Sequence, residues 1–232
     1  FRHMLQNNHD DHHNYLCDVY SGYSEIAANN KDGWIEQSID KEDIKVESKK
    51  NTRQAFPYNK YHCTSWNVNQ ACSIIICSEG VADKLDIPLD KRVYPLASSE
   101  NNHMISTLQR PNLIEPAGMH LAAKFILDIC SKNNLVPNIY DLYSCFPVAI
   151  QMFAKSLNLN NIKDKTVTGA MPFAGGPLNS YVLHSTAKLI EKLRENNGIG
   201  IVTGVSGMMT KQSYALWSKN KEIDFIHKDV TK

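Results

Sequence analysis

Past residue 56, apolar runs of strand length alternate with longer runs of helical spacing, a pattern that limits the chain to an α/β sheet covered by helices. Residues 72–77, Cys-Ser-Ile-Ile-Ile-Cys, form a mostly apolar, β-branched run that predicts a buried strand. Residues 79–85 then predict a helix that Pro88 ends, and residues 92–97 a second strand. Pro116 opens a helix whose apolar face carries Met119, Leu121, Ala122, Phe125, Ile126 and Ile129. Residues 139–143 predict a short strand, and Pro147 opens a helix bearing Val148, Ile150, Met152, Phe153 and Leu157. Residues 166–169 predict another strand, Asn179 or Ser180 caps a helix running through Arg194, and residues 200–203 predict a strand ending at Gly204. The sheet is therefore expected to be mainly parallel or mixed.

Two turns stand out. Asp141-Leu142-Tyr143-Ser144-Cys145-Phe146-Pro147 and Gly169-Ala170-Met171-Pro172-Phe173-Ala174-Gly175-Gly176-Pro177-Leu178-Asn179 each follow a short apolar run and precede an amphipathic helix. Such turns at the carboxyl ends of strands are where α/β sheets expose reactive groups and backbone amides.

The first 60 residues differ: they are polar, rich in His, Asn and Lys, and helical spacing appears only at Leu16, Val19, Tyr20, Tyr23, Ile26 and Ala27. Histidines 3, 9, 12 and 13 raise the question of a metal, with His9 and His13 four apart. No acidic or cysteine partner pattern accompanies them, so a solvated face is the preferred reading and no metal site is expected. His62 and His184 read as structural histidines.

The formal charge of +1 favours neither nucleic acid nor an anionic membrane as partner, and no apolar run approaches a membrane span. Six cysteines, at 17, 63, 72, 77, 130 and 145, lack CxxC spacing and read as reduced thiols of a cytoplasmic protein.

The order of the motifs carries a resemblance. Asn67-Val68-Asn69-Gln70-Ala71 resembles a Gly-Ile-Asn-Asp-Gly turn before a buried strand, and Leu142-Tyr143-Ser144-Cys145-Phe146 stands in the place of an Asn-Glu-Ala-Phe or His-Asp-Cys-Phe motif. Gly175-Gly176-Pro177-Leu178 stands where Gly-His-Pro-Leu is usual, and Gly204-Val205-Ser206-Gly207 where Cys-x-Gly-Gly is usual. Over residues 56–217, and more weakly back to residue 1, the chain resembles the C-terminal part of the thiolase superfamily, in its sterol-carrier-type acetyl-CoA acetyltransferase branch.

That resemblance implies an αβαβα layered fold of which this chain supplies the C-terminal half, a mixed sheet covered by helices. It implies residues 1–60 as the end of the loop region and 61–220 as the α/β domain; residues 221–232, rich in Lys and Asp, read as an exposed tail that adds at most a short strand at residues 223–226. It also implies an acyltransferase acting on acyl-CoA thioesters, with coenzyme A or acyl-CoA as substrate rather than a permanently bound cofactor. The nucleophilic cysteine belongs to the family's N-terminal half, so a second copy or that half is the implied partner. A non-catalytic acyl-CoA-binding or partner subunit is the alternative.

Gly176 and Gly204 replace the family's histidine and second cysteine, and glycine transfers no proton. Cys145 is then the best remaining ionisable side chain, Tyr143 replaces the residue that orients water or a carbonyl, and His103 is a candidate base from a polar loop. Cys145 also has a plain reading as a small buried hydrophobe. Trp66, Asn67, Gly175, Gly204 and Gly207 are the candidate acyl-CoA contacts.

Overall fold

The computed structural model describes residues 2 and 6–231, so His3 lies outside the described residues. Helix α1 (His9–Ala28) starts at Asn8, whose side chain accepts a hydrogen bond from the Asp11 N–H, with Asp10 and Asp11 in the first turn. A capped, acidic start satisfies the helix's free amides and its dipole. Its buried stripe of Leu16, Val19, Tyr20, Tyr23 and Ala27 follows the spacing seen in the sequence. After the short α2 (Lys41–Lys45), strands β1 (Arg53–Ala55) and β2 (Tyr58–Asn59) form a small hairpin.

The main sheet has five strands: β3 (Tyr94–Asn101), β4 (Ile139–Asp141), β5 (Ile199–Ser206), β6 (Lys211–Ser218) and β7 (Ile226–Asp229), ordered β4-β5-β6-β3-β7. It is mixed: β4 runs parallel to β5 and β3 parallel to β7, whereas β6 is antiparallel to both its neighbours. Helix α3 (Glu79–Lys84) precedes the sheet, and between its strands run α4 (Ala117–Lys132), α5 (Pro147–Ser156), the single turn α6 (Met171–Ala174) and α7 (Tyr181–Glu195).

Strand alternation separates the two faces. Ile199 and Ile201 of β5, with Tyr214 and Leu216 of β6, join α1, α4 and α5 in the larger core. Val202 faces Leu189 and Leu193 of α7, with Trp217 of β6 beside them. Helices thus cover both faces, and α1 shares the core of the α/β unit.

Three expected elements turned out differently. Residues 72–77 join no strand ladder, with Ile75 90% and Ile76 87% exposed. Residues 166–169 do not join a ladder because their amides and hydroxyls bond to side chains instead. The strand expected at residues 92–97 begins at Tyr94 and continues to Asn101. Strand β6 was not foreseen: its buried positions are Gln212, Tyr214, Leu216 and Ser218, half of them polar, so it lacks a hydrophobic period of two. The tail contributes β7, later than the expected residues 223–226.

Candidate functional site

A cleft of about 660 Å³ opens where the segments leaving β4 and β5 meet. Strand β4 ends at Asp141, and the chain runs on through Tyr143 and Cys145 before Pro147 starts α5. The Tyr143 N–H donates to Thr203 Oγ1 of β5 at 2.9 Å, and its ring meets Tyr181 edge-on at 5.6 Å. The cleft brings Tyr143, Cys145, Trp66, Gly176 and Gly204 together from four separate stretches of sequence.

The stretch that ends at Trp66, from Cys63 to Ser65, lies between two of the others. The Thr64 N–H donates to the Cys145 carbonyl at 3.2 Å, the Ser65 N–H to the Met171 carbonyl at 3.1 Å, and the Gly176 N–H to the Ser65 carbonyl at 2.8 Å. The amide of Gly176 is therefore occupied and does not face a ligand.

Gly176 is not an emptied histidine position either. A Cβ there would stand 2.4 Å from Thr64 Cγ2 and 2.8 Å from Met171 Cε, so neighbouring side chains have closed over the backbone. Gly175 has φ +95° and a Cβ would stand 2.3 Å from Gln70 Oε1, which makes glycine the residue the backbone tolerates.

Burial pushes the Cys145 thiol up to about 11, and burial pushes Cys63, also on the cleft wall, up to about 11. Both thiols are protonated at neutral pH and are poor nucleophiles. Among the described residues no histidine lines the cleft; its charged groups are Glu100 and Lys211, the latter from the unforeseen β6.

The remaining expected residues lie elsewhere. His103 is exposed and takes no part in the cleft wall, although its neighbour Asn102 does. Asn67 is exposed beside the cleft, and Gly207 sits in the β5–β6 turn, where Ser206 rather than Gly207 reaches the site. Gly175 lines a second, 390 Å³ cavity with Gln70, His184 and Lys188. Sequence reasoning missed Cys63, Thr64 and Lys211: the first two precede Trp66 closely, but nothing in their spacing marks a wall.

Solved structures share this fold. A monomeric SCP2-thiolase-like protein type 1 from Mycobacterium smegmatis superposes with a TM-score of 0.77 at 20% identity, over 94% of this chain and 49% of that one. The chain has a thiolase-like fold. The dimeric peroxisomal thiolase of Saccharomyces cerevisiae superposes with a TM-score of 0.57 at 14% identity, over 94% of this chain and 57% of that one. The Acat5 thiolase from Ascaris suum, solved in complex with coenzyme A, overlaps 62% of this chain and 35% of that one at 20% identity, with a TM-score of 0.42. The thiolase-like chain thus spans about half the length of the structures it matches. No protein-family model matches its sequence, and no curated protein matches it significantly.

Proposed function

We propose that the cleft is the acyl-thioester half-site of a thiolase-type acyltransferase, with the nucleophilic cysteine supplied from outside these 232 residues. The observation that carries this reading is the meeting of Tyr143, Cys145, Gly176 and Gly204, the positions of the sequence motifs, in one cleft of a thiolase-like fold. Trp66 offers an aromatic wall at the mouth, 65% exposed, and Lys211 a cation for an anionic ligand. In this reading residues 1–60 close the loop region, 61–220 form the C-terminal α/β domain and 221–232 the tail.

Two features favour a partner. Ile75 and Ile76 present an unpaired, β-branched apolar segment to solvent, the kind of edge another sheet covers. Among the described residues the cleft also holds no histidine, and its two thiols are protonated, so acid/base chemistry needs help. The partner is a thiolase N-terminal half or a second copy. A stable, monodisperse monomer in size-exclusion chromatography would count against both.

A second reading, a non-catalytic acyl-CoA-binding subunit, is favoured by the protonated state of Cys63 and Cys145. Isothermal titration with coenzyme A and acetyl-CoA tests the ligand common to both readings; no binding by the intact assembly overturns them. Cleavage of acetoacetyl-CoA by the assembly with a nucleophile-bearing partner, compared between the wild-type chain and Cys145→Ala, separates them. Turnover lost in the variant supports the acyltransferase, and no turnover by either protein supports the binding subunit.

A further inference from the structure

Away from the cleft, three ligand-bearing side chains converge where α1 meets the turn at Lys60–His62. His13 and Cys17 lie one turn apart on α1, and His62 arrives from the turn. Cys17 Sγ lies 3.7 Å from His13 Nε2 and 3.7 Å from His62 Nε2. All three atoms fall within 4.8 Å of one another.

Those separations can be compared with a metal tetrahedron. With Zn–S near 2.3 Å and Zn–N near 2.05 Å, ideal angles place sulfur and nitrogen ligands about 3.6 Å apart. Both sulfur–nitrogen edges are already at that length. The Lys45 carbonyl lies 3.4 Å from His13 Nε2, close to the ~3.4 Å edge that such a centre sets between nitrogen and oxygen. Cys17 and His62 are fully buried, whereas His13 is half-buried and gives access from outside. Two imidazoles and a thiol select a borderline metal such as zinc over magnesium or calcium.

We propose that His13, Cys17 and His62 form a structural zinc(II) site that staples α1 to the turn leading into the cleft wall. His62 directly precedes Cys63 and Thr64, so the metal would hold the stretch whose Thr64 amide bonds to the Cys145 carbonyl. Binding breaks the Cys17 S–H bond and forms S–Zn, releasing that proton to solvent. The Asn59 N–H donates to His62 Nδ1 at 3.3 Å, which leaves the ring proton on Nε2 in the metal-free state. Coordination moves that proton to Nδ1 and gives up this long hydrogen bond. The site does not depend on the proposed acyl-CoA chemistry.

The test uses the tag-free chain, stripped by a chelator and titrated with cobalt(II) and then zinc(II). One equivalent of cobalt is expected to give the visible bands of a tetrahedral centre and a thiolate-to-metal charge-transfer band, both erased by zinc. Zinc at a hundredfold excess over Kd should raise Tm by roughly 5–10 °C. His13→Ala, a half-buried change expected to keep the native circular dichroism, should weaken zinc binding ~100-fold. Cys17→Ser should lose the charge-transfer band. If that variant fails to fold, zinc protection of Cys17 from alkylation in the wild type, read by peptide mass spectrometry, takes its place. Absence of the charge-transfer band, its survival in Cys17→Ser, alkylation of Cys17 undiminished by zinc, or zinc affinity unchanged in His13→Ala overturns the proposal; the last outcome would point to His9 and His12 instead.

Discussion

Asp141 and Thr168 are joined twice: the carboxylate accepts the Thr168 N–H at 3.0 Å and the Thr168 hydroxyl at 2.9 Å. The same fully buried carboxylate accepts the Thr166 hydroxyl, the Val167 N–H, the Tyr181 hydroxyl and the Ser185 hydroxyl. Thr166 and Thr168 in turn accept from the amide of Ala170, which holds φ 66° and ψ 156°, a conformation open essentially to glycine. Met171 follows, its amide donating to Ser144 Oγ at 2.9 Å. One carboxylate thus sets the position of the cleft wall relative to Cys145.

Asp141→Asn turns part of an acceptor-only group into a donor facing donors. At least two buried donors lose their partner, so a loss of about 3–5 kcal/mol is expected. Urea unfolding measures it. A change below about 1 kcal/mol would mean that the network does not carry the loop.

At Gly176, Ala is expected to destabilise by about 1–3 kcal/mol through its clash with Thr64 Cγ2 and Met171 Cε. Thr64→Ser removes Cγ2 and keeps the hydroxyl that donates to the Cys145 carbonyl. The double variant should therefore be more stable than the sum of the singles, a coupling that a double-mutant cycle reads directly. Strict additivity would rule out the contact as the reason for glycine.

Acid should destabilise the metal-free protein through His62. Burial lowers its pKa from 6.5 to about 4, so between those values the unfolded chain holds a proton that the folded one does not. The stabilising difference is fully present above pH 6.5 and is lost as pH falls towards 4, roughly 3 kcal/mol in all. Burial lowers His12, His13 and His184 in the same direction. In His62→Gln, chemical denaturation between pH 4 and 6.5 should give a shallower slope; an unchanged slope contradicts a buried neutral histidine.

Thiol labelling should follow exposure and burial. Cys77 is the exposed cysteine and should react first with iodoacetamide. With a thiol near 11, Cys145 should react ~100-fold more slowly than a free cysteine at pH 8, speeding up as pH rises towards 11. Peptide mapping over time checks the order. Fast labelling of Cys145 at neutral pH would restore it as a nucleophile.

Much of the fold was legible because local patterns settle it. Pro116 and Pro147 mark helix starts, and the stripes of α1, α4 and α5 follow from residue spacing. Residues 72–77 misled because a β-branched apolar run specifies extended backbone but not a neighbour; with no strand to pair, it lies open. Strand β6 was hidden for the opposite reason, since Gln212 and Ser218 occupy buried positions through hydrogen bonding and pairing rather than hydrophobicity. In the site, Tyr143, Cys145, Gly176 and Gly204 were legible as motif positions, although only the stretch of Tyr143 and Cys145 follows a strand end, Gly204 lying inside β5 and Gly176 after no strand. His13 and Cys17 stand four residues apart on α1, a signal present in the sequence, and the third member of the cluster, His62, comes from a distant turn.

The sequence by itself determined helices α1, α4, α5 and α7, strands β4 and β5, and the location of the turns that end β4 and precede α7, because these depend on interactions a few residues long. Tertiary structure alone decided what those turns contain. It closed Thr64 and Met171 over Gly176, raised the Cys145 and Cys63 thiols by burial, and collected the donors around Asp141. Each depends on groups brought together from far along the chain, where desolvation and close packing act and local spacing carries no record of them.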